Sequence, residues 1–200
     1  MERRAGTRGE KGRRRRDSLA AAAADILLAH GPAALTHRSV AARAGASLSA
    51  TTYYFADRED LLRAAGERVV TAWATHAEQV AGATTDRTGD ALAAVVEAVL
   101  PPDERLRGHY EHLVGAGRSP ALAGAYASGR QRLDAAVGRI LDGAGRPSGP
   151  TTPGAGRPSG PTPELVIAVI DGAAVSALSE GRDARALARR LLAAIVSPLS

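Results

Sequence analysis

The chain has no cysteine. Disulfides, thiolate nucleophiles and thiolate metal ligands are excluded, which is compatible with a reducing cytosol. Long apolar runs are also missing. The alanine-rich stretch from Leu19 to Ala29 is interrupted by Asp25, and no segment reaches the roughly 18 uninterrupted apolar residues that a membrane span needs. The arginines near the start are not followed by an apolar run of signal-peptide type, so a soluble, cytoplasmic protein without membrane contact is expected. Sustained period-two alternation bounded by hairpin turns is absent, which predicts no sheet. Without strands there is neither a glycine-rich phosphate loop nor a glycine-flanked serine after a strand, and no enzymatic activity or cofactor is expected. His109 and His112 lie three apart with Glu111 between them, but a metal site needs further ligands. They are expected as exposed histidines, with no metal.

What the chain does contain is helical periodicity and an uneven distribution of charge. At 200 residues and 44% hydrophobic content it has enough material for one or two domains with a real core. Residues 1–16 carry eight Lys or Arg against two Glu, a balance of +6, whereas the whole chain is +5, so residues 17–200 sum to −1. Such a glycine- and arginine-rich arm buries no apolar surface and is expected to be disordered alone, either adding phosphate or minor-groove contacts or serving as a solvated leader. Beyond residue 66, Val69, Val70, Trp73, His76, Ala77 and Val80 recur at helical spacing. Further periodic runs fall at about 89–100, 103–116, 119–142, 163–180 and 183–197. Pro101 and Pro102 break one helix and open the next. Between Gly143 and Pro163 the segment GAGRPSGPTTP is repeated as GAGRPSGPTP, and glycine and proline at this density predict a flexible loop.

The most informative segment is Thr36 to Phe55, THRSVAARAGASLSATTYYF. Thr36 reads as an N-cap, and Val40, Ala41 and Ala44 share an apolar face of a helix about two turns long. Gly45, free to take positive φ, ends it and turns the chain. Ser47 caps a second helix over Leu48 to Tyr54 whose small or hydroxylated side chains allow close approach to base edges in a DNA major groove. Asp57 caps the next helix, and Arg58 sits in its first turn, where the helix dipole mildly disfavours a cation.

This stretch resembles the DNA-binding domain of the TetR family of transcriptional regulators. The resemblance extends upstream through DSLAAAAADILLAHGPAALTHRSVA and downstream through FADREDLLRAAGERV, covering about residues 16–70. Two positions depart from the family pattern. Thr52 stands where a tyrosine is frequent, so the phosphate contact credited to that tyrosine passes to Tyr53 or Tyr54. Arg58 stands where lysine is frequent; both cations meet phosphate, arginine with a planar fork.

After the basic arm (1–16), the resemblance implies an all-α protein: a three-helix DNA-binding domain with a helix-turn-helix (17–64) and a helical ligand-binding and dimerisation domain (65–200) that contains the Gly/Pro-rich loop at 143–163. It implies a ligand-responsive regulator, a repressor, released from a double-stranded palindromic operator by a small molecule. Thr36, Arg38, Tyr53, Tyr54 and Arg58 are then expected on phosphates or deoxyriboses, and His37, Leu48, Ser49, Ala50 and Thr51 on bases, with Ser47 at the helix entry. The last two helices, PELVIAVIDGAAVSALSEG and RDARALARRLLAAIV, are expected to pair with their two-fold mates in a homodimer, because one short recognition helix reads too few base pairs. The implied ligand pocket draws on Trp73, His76, Tyr110, Leu113, Tyr126, Arg130 and Asp171. With only six aromatic residues in the chain, a smaller or aliphatic ligand is expected before a large flat dye. The competing reading is a non-sensing architectural dimer that associates with DNA through its basic arm.

Overall fold

The alanine- and leucine-rich stretch at Leu19 to Leu27 forms the buried half of a 28-residue first helix, α1 (Arg3–His30), with Leu19, Ala23 and Leu27 fully covered. The computed structural model describes residues 3–84, 91–144 and 160–196, all of its regular elements being helical. A 3₁₀ turn at Pro32–Ala34 leads to α2 (His37–Arg43), α3 (Leu48–Tyr54) and α4 (Arg58–Ala83). Then follow α5 (Ala91–Val99), α6 (Asp103–Ala116), α7 (Pro120–Gly143), α8 (Pro163–Glu180) and α9 (Ala184–Val196). No helix among the described residues is long and apolar enough to cross a membrane.

The basic segment differs from its expectation. Residues 3–16 continue α1 backwards instead of forming an irregular arm. Nucleation is the costly step of helix formation, and the apolar half of α1 has already met that cost. Arg, Lys and Glu then propagate the helix readily, aided by the Glu10–Arg14 pair one turn apart.

The described residues gather into two compact units. The first runs to Thr71 and also includes Gly108–Ala127; the second takes Ala72–Arg107 and the residues from Ser128 onward. Gly108–Ala127 packs with the N-terminal helices, and two glycines allow the close approach. A Cβ on Gly108 would lie 2.6 Å from the Leu28 carbonyl oxygen, and one on Gly66 would lie 2.8 Å from Leu122 Cδ2. Bare backbone at these two places lets the middle of α6 close on α1 and the start of α7 close on α4. Leu35, Val40, Phe55, Leu61 and Leu62 complete the core of this unit.

In the second unit, Val95, Val96 and Val99 of α5 are buried, as are Ile167, Ile170 and Ala174 of α8 and Ala188 and Leu192 of α9. Thr162 caps α8, its hydroxyl accepting from Leu165 N at 3.3 Å, and Gly181 at φ 68° turns the chain into α9. Arg185 fastens α9 to the α5–α6 connection. Its guanidinium donates to Asp103 Oδ1 at 3.0 Å, Glu97 Oε2 at 2.9 Å and the Pro101 carbonyl at 2.7 Å. The duplicated Gly/Pro segment lies, at 145–159, outside the described residues.

Candidate nucleic-acid interface and a buried polar cluster

Each end of the α2–turn–α3 segment is tied by local hydrogen bonds. The Thr36 hydroxyl accepts from Ser39 N at 3.0 Å while Ser39 Oγ accepts from Thr36 N at 3.0 Å, a reciprocal cap that satisfies two donors left free by the first turn. Gly45 takes φ 57°, the left-handed conformation predicted for it, and Ala46 N donates back to the Ala41 carbonyl at 2.9 Å. Ser47 then caps α3 through Ala50 N at 3.1 Å. At the far end Phe55 is fully buried and its carbonyl receives His37 Nε2 at 3.0 Å. A carbonyl only accepts, so Nε2 carries the proton. Asp57 Oδ1 accepts from Asp60 N at 2.8 Å and so caps α4. Arg43 of α2 reaches Asp25 of α1 at 3.1 Å.

With α3 pinned in this way, one face is left in solvent. Leu48 is 48% and Tyr53 81% exposed, with Ser49 and Thr52 exposed between them. These four positions follow the helical repeat of one stripe, at i, i+1, i+4 and i+5. Ala50 and Tyr54 are half-buried, and Thr51 is fully buried, its hydroxyl directed to the Ser47 carbonyl. The base-facing role expected of Thr51 is therefore corrected. The stripe carries Thr52 instead, an exposed residue whose hydroxyl donates to the Leu48 and Ser49 carbonyls. His37 is corrected too, being half-buried and spent on Phe55.

Of the expected phosphate contacts, Thr36 and Arg38 are exposed. Arg58 is also exposed, but it uses Nη2 on the Pro32 carbonyl at 2.6 Å, bracing α4 against the 3₁₀ turn and leaving other N–H groups for solvent. The basic part of α1 passes beside the end of α3. The Arg16 guanidinium carbon lies 5.2 Å from the centre of the Phe55 ring, and a Cβ on Gly12 would stand 3.7 Å from the Tyr54 hydroxyl. Lys11, Arg13, Arg14, Arg15 and Arg16 are all exposed.

The candidate ligand residues divide between the units. In the second, Trp73 Nε1 donates to the Val99 carbonyl at 3.1 Å, His76 Nε2 lies 3.1 Å from the Glu97 carbonyl, and Arg130 pairs with Asp134 at 2.8 Å. Trp73 and His76 thus fasten α4 to α5. Asp171 is half-buried on α8. In the first unit, Tyr110 and Tyr126 are buried and Leu113 half-buried.

Between those tyrosines stand His109 and His112. Both are buried, so the expectation of exposed histidines is corrected: α6 turns both inward, and the His112 ring faces Tyr126 of α7. The His109 ring meets Tyr110 and His112 edge-on, at centroid separations of 5.1 and 5.3 Å. Burial, with His112 beside it, pushes the His109 imidazole down to about 4, and burial lowers His112 as well; burial raises the Tyr126 phenol. All three are therefore neutral near pH 7. No group of three or more His, Asp or Glu arranged to hold a metal occurs among the described residues.

Comparisons with known proteins bear on both regions. The family described as "Bacterial regulatory proteins, tetR family" matches residues 19–65, and that described as "Tetracyclin repressor-like, C-terminal domain" matches residues 83–198. Among solved structures, the multidrug binding protein EbrR complexed with imidazole is 26% identical, with a TM-score of 0.65, over 93% of this chain and 97% of that one. The same protein complexed with proflavin is 27% identical, with a TM-score of 0.62, over 91% and 99%. The putative transcriptional regulator SCO7518 from Streptomyces coelicolor A3(2) is 27% identical, with a TM-score of 0.68, over 92% and 98%. Among curated proteins, none matches the chain.

Proposed function

Because the chain belongs to the TetR family of bacterial transcriptional regulators, we propose that it represses transcription by holding a palindromic operator and lets go when a small molecule binds. The observation that carries this reading is the stripe Leu48, Ser49, Thr52 and Tyr53, exposed on a helix tied at both ends. Leu48 and the Thr52 methyl suit thymine methyl groups, and Ser49 supplies a donor or an acceptor to a base edge. Thr36, Arg38, Tyr53, Tyr54 and Arg58 set the register on the backbone.

A single such helix discriminates weakly, so the proposal includes a homodimer that reads two half-sites. Its surface is the outer face of the α8–α9 hairpin. Leu165, Val175, Leu191 and Ile195 are exposed there, and a Cβ on Gly172 would meet nothing within 4 Å. Apolar side chains left in solvent beside open backbone suit a second copy of the same hairpin.

The effector side draws on EbrR, whose complexes with imidazole and proflavin mark it as a binder of small organic molecules. In this chain the scarcity of aromatic rings favours a smaller or aliphatic effector. The effector must bind the DNA-incompetent conformation more tightly than the competent one. α4, the helix that follows α3, runs unbroken from Arg58 to Ala83.

The test is a gel-shift of the purified protein on its own upstream DNA, with and without excess random competitor. A specific regulator keeps its complex under competition. A complex lost in proportion to competitor supports sequence-neutral DNA association and overturns the reading.

A further inference from the structure

His112 on α6 and Tyr126 on α7 present two polar atoms that the fold does not use. Their ring centroids are 5.8 Å apart, inside the first unit. His112 Nδ1 lies 2.6 Å from the Gly108 carbonyl, so it holds the proton and leaves Nε2 as a bare acceptor. Tyr126 Oη brings a hydroxyl proton. Neither Nε2 nor Oη has a hydrogen-bond partner among the described residues, although His112 is 1% and Tyr126 9% exposed. Both groups have lost their hydration and gained nothing for it, a condition that few buried side chains show. Phenylalanine would fill the place of the Tyr126 ring without that loss, so packing alone does not account for the hydroxyl.

We infer that His112 Nε2 and Tyr126 Oη are the polar anchors of an effector seat that takes a neutral organic molecule bearing a hydroxyl group. The ligand O–H donates to Nε2, and its oxygen, or an acceptor next to it, receives the Tyr126 proton. This inference rests on the ligand-responsive reading above and adds the chemistry of the ligand.

Charge narrows the class. The buried polar or charged residues other than tyrosine are Thr51, His109 and His112, so among the described residues no buried carboxylate is available to a permanent cation. An anion would need a protonated imidazole, and burial disfavours the proton on both histidines. Hydrogen bonding without net charge is what remains. A seat of this kind rejects a ligand lacking its hydroxyl far more strongly than an apolar pocket does, because the protein groups are then left unmatched again.

Phenol and toluene are the probes, differing by a hydroxyl in place of a methyl, and calorimetric binding to the full chain is the readout. Phenol binds more tightly than toluene, and Tyr126→Phe reduces the preference by about tenfold or more. The same substitution raises the Tm of the ligand-free protein by about 4 °C, since it removes an unmatched buried hydroxyl. His112→Leu abolishes the preference. A lower Tm for Tyr126→Phe, with the preference intact, means that the hydroxyl serves the fold or a bound water only, and overturns the inference. Equal binding of the two probes, or none, overturns it as well. If phenol fails while proflavin still releases the protein from its operator, the regulatory reading stands and this inference alone falls.

Discussion

Acidification should weaken this protein through His109 before most of its carboxylates are protonated. The imidazole is buried on α6 against Tyr110 and His112, and its pKa falls from 6.5 to about 4. The unfolded chain takes up a proton near pH 6.5, whereas the folded chain resists until about pH 4, so the unfolded state binds more protons throughout that interval and stability drops as pH drops. Each pKa unit corresponds to ~1.4 kcal/mol, which makes the full loss about 3 kcal/mol, with about 2 kcal/mol gone by pH 5. His112, lowered for the same reason, acts in the same direction. Urea denaturation of the wild type and of His109→Leu at half-unit steps from pH 7.5 to 4.5 isolates the effect, because the carboxylates are common to both chains. The wild-type curve should fall more steeply below pH 6.5, the two diverging by about 2 kcal/mol at pH 5. Parallel curves would refute the reasoning, since a histidine that titrates alike in both states contributes no slope.

Three further outcomes follow from the packing. Gly108→Ala puts a methyl 2.6 Å from the Leu28 carbonyl oxygen, a backbone atom without rotamer freedom, and should cost about 2 kcal/mol, read as a Tm lower by about 6 °C. Thr51→Ala should lower stability by about 1 kcal/mol and leave the operator footprint unchanged. Thr52→Ala should leave stability within about 0.5 kcal/mol and alter the footprint; the reverse pattern would restore Thr51 as the base reader. Val175→Asp, at a site 49% exposed, should leave the protomer folded yet shift sedimentation from dimer to monomer and weaken operator binding; an unchanged sedimentation coefficient places the two-fold contact elsewhere.

The helix ends were largely legible because they are written in local chemistry. Thr36, Gly45, Ser47 and Asp57 each act within a few residues of themselves, and all four behave as the sequence predicts. The periodic runs at 103–116 and 163–180 coincide with α6 and α8. What could not be read was rotation about a helix axis. In a seven-residue helix such as α3 the stripe of small side chains looks alike from every side, and it is the burial of Phe55 that turns Thr51 inward and Thr52 outward. The same holds for His112, whose ring lies against Tyr126 on a helix that arrives later in the chain. The basic arm escaped for a different reason: its composition reads as disordered by itself, but it shares a helix with the apolar residues that follow.

The pins on α3 have an evolutionary corollary. Seven residues make too short a helix to persist alone, so its shape is owed to Ser47, Thr51 and Phe55 and to the His37 ring beneath it. None of these is among Leu48, Ser49, Thr52 and Tyr53. Vocabulary and grammar are thus kept on opposite sides of one short rod: a lineage could rewrite the four outward letters to address a new promoter while the fold, which never reads them, goes on assembling as before.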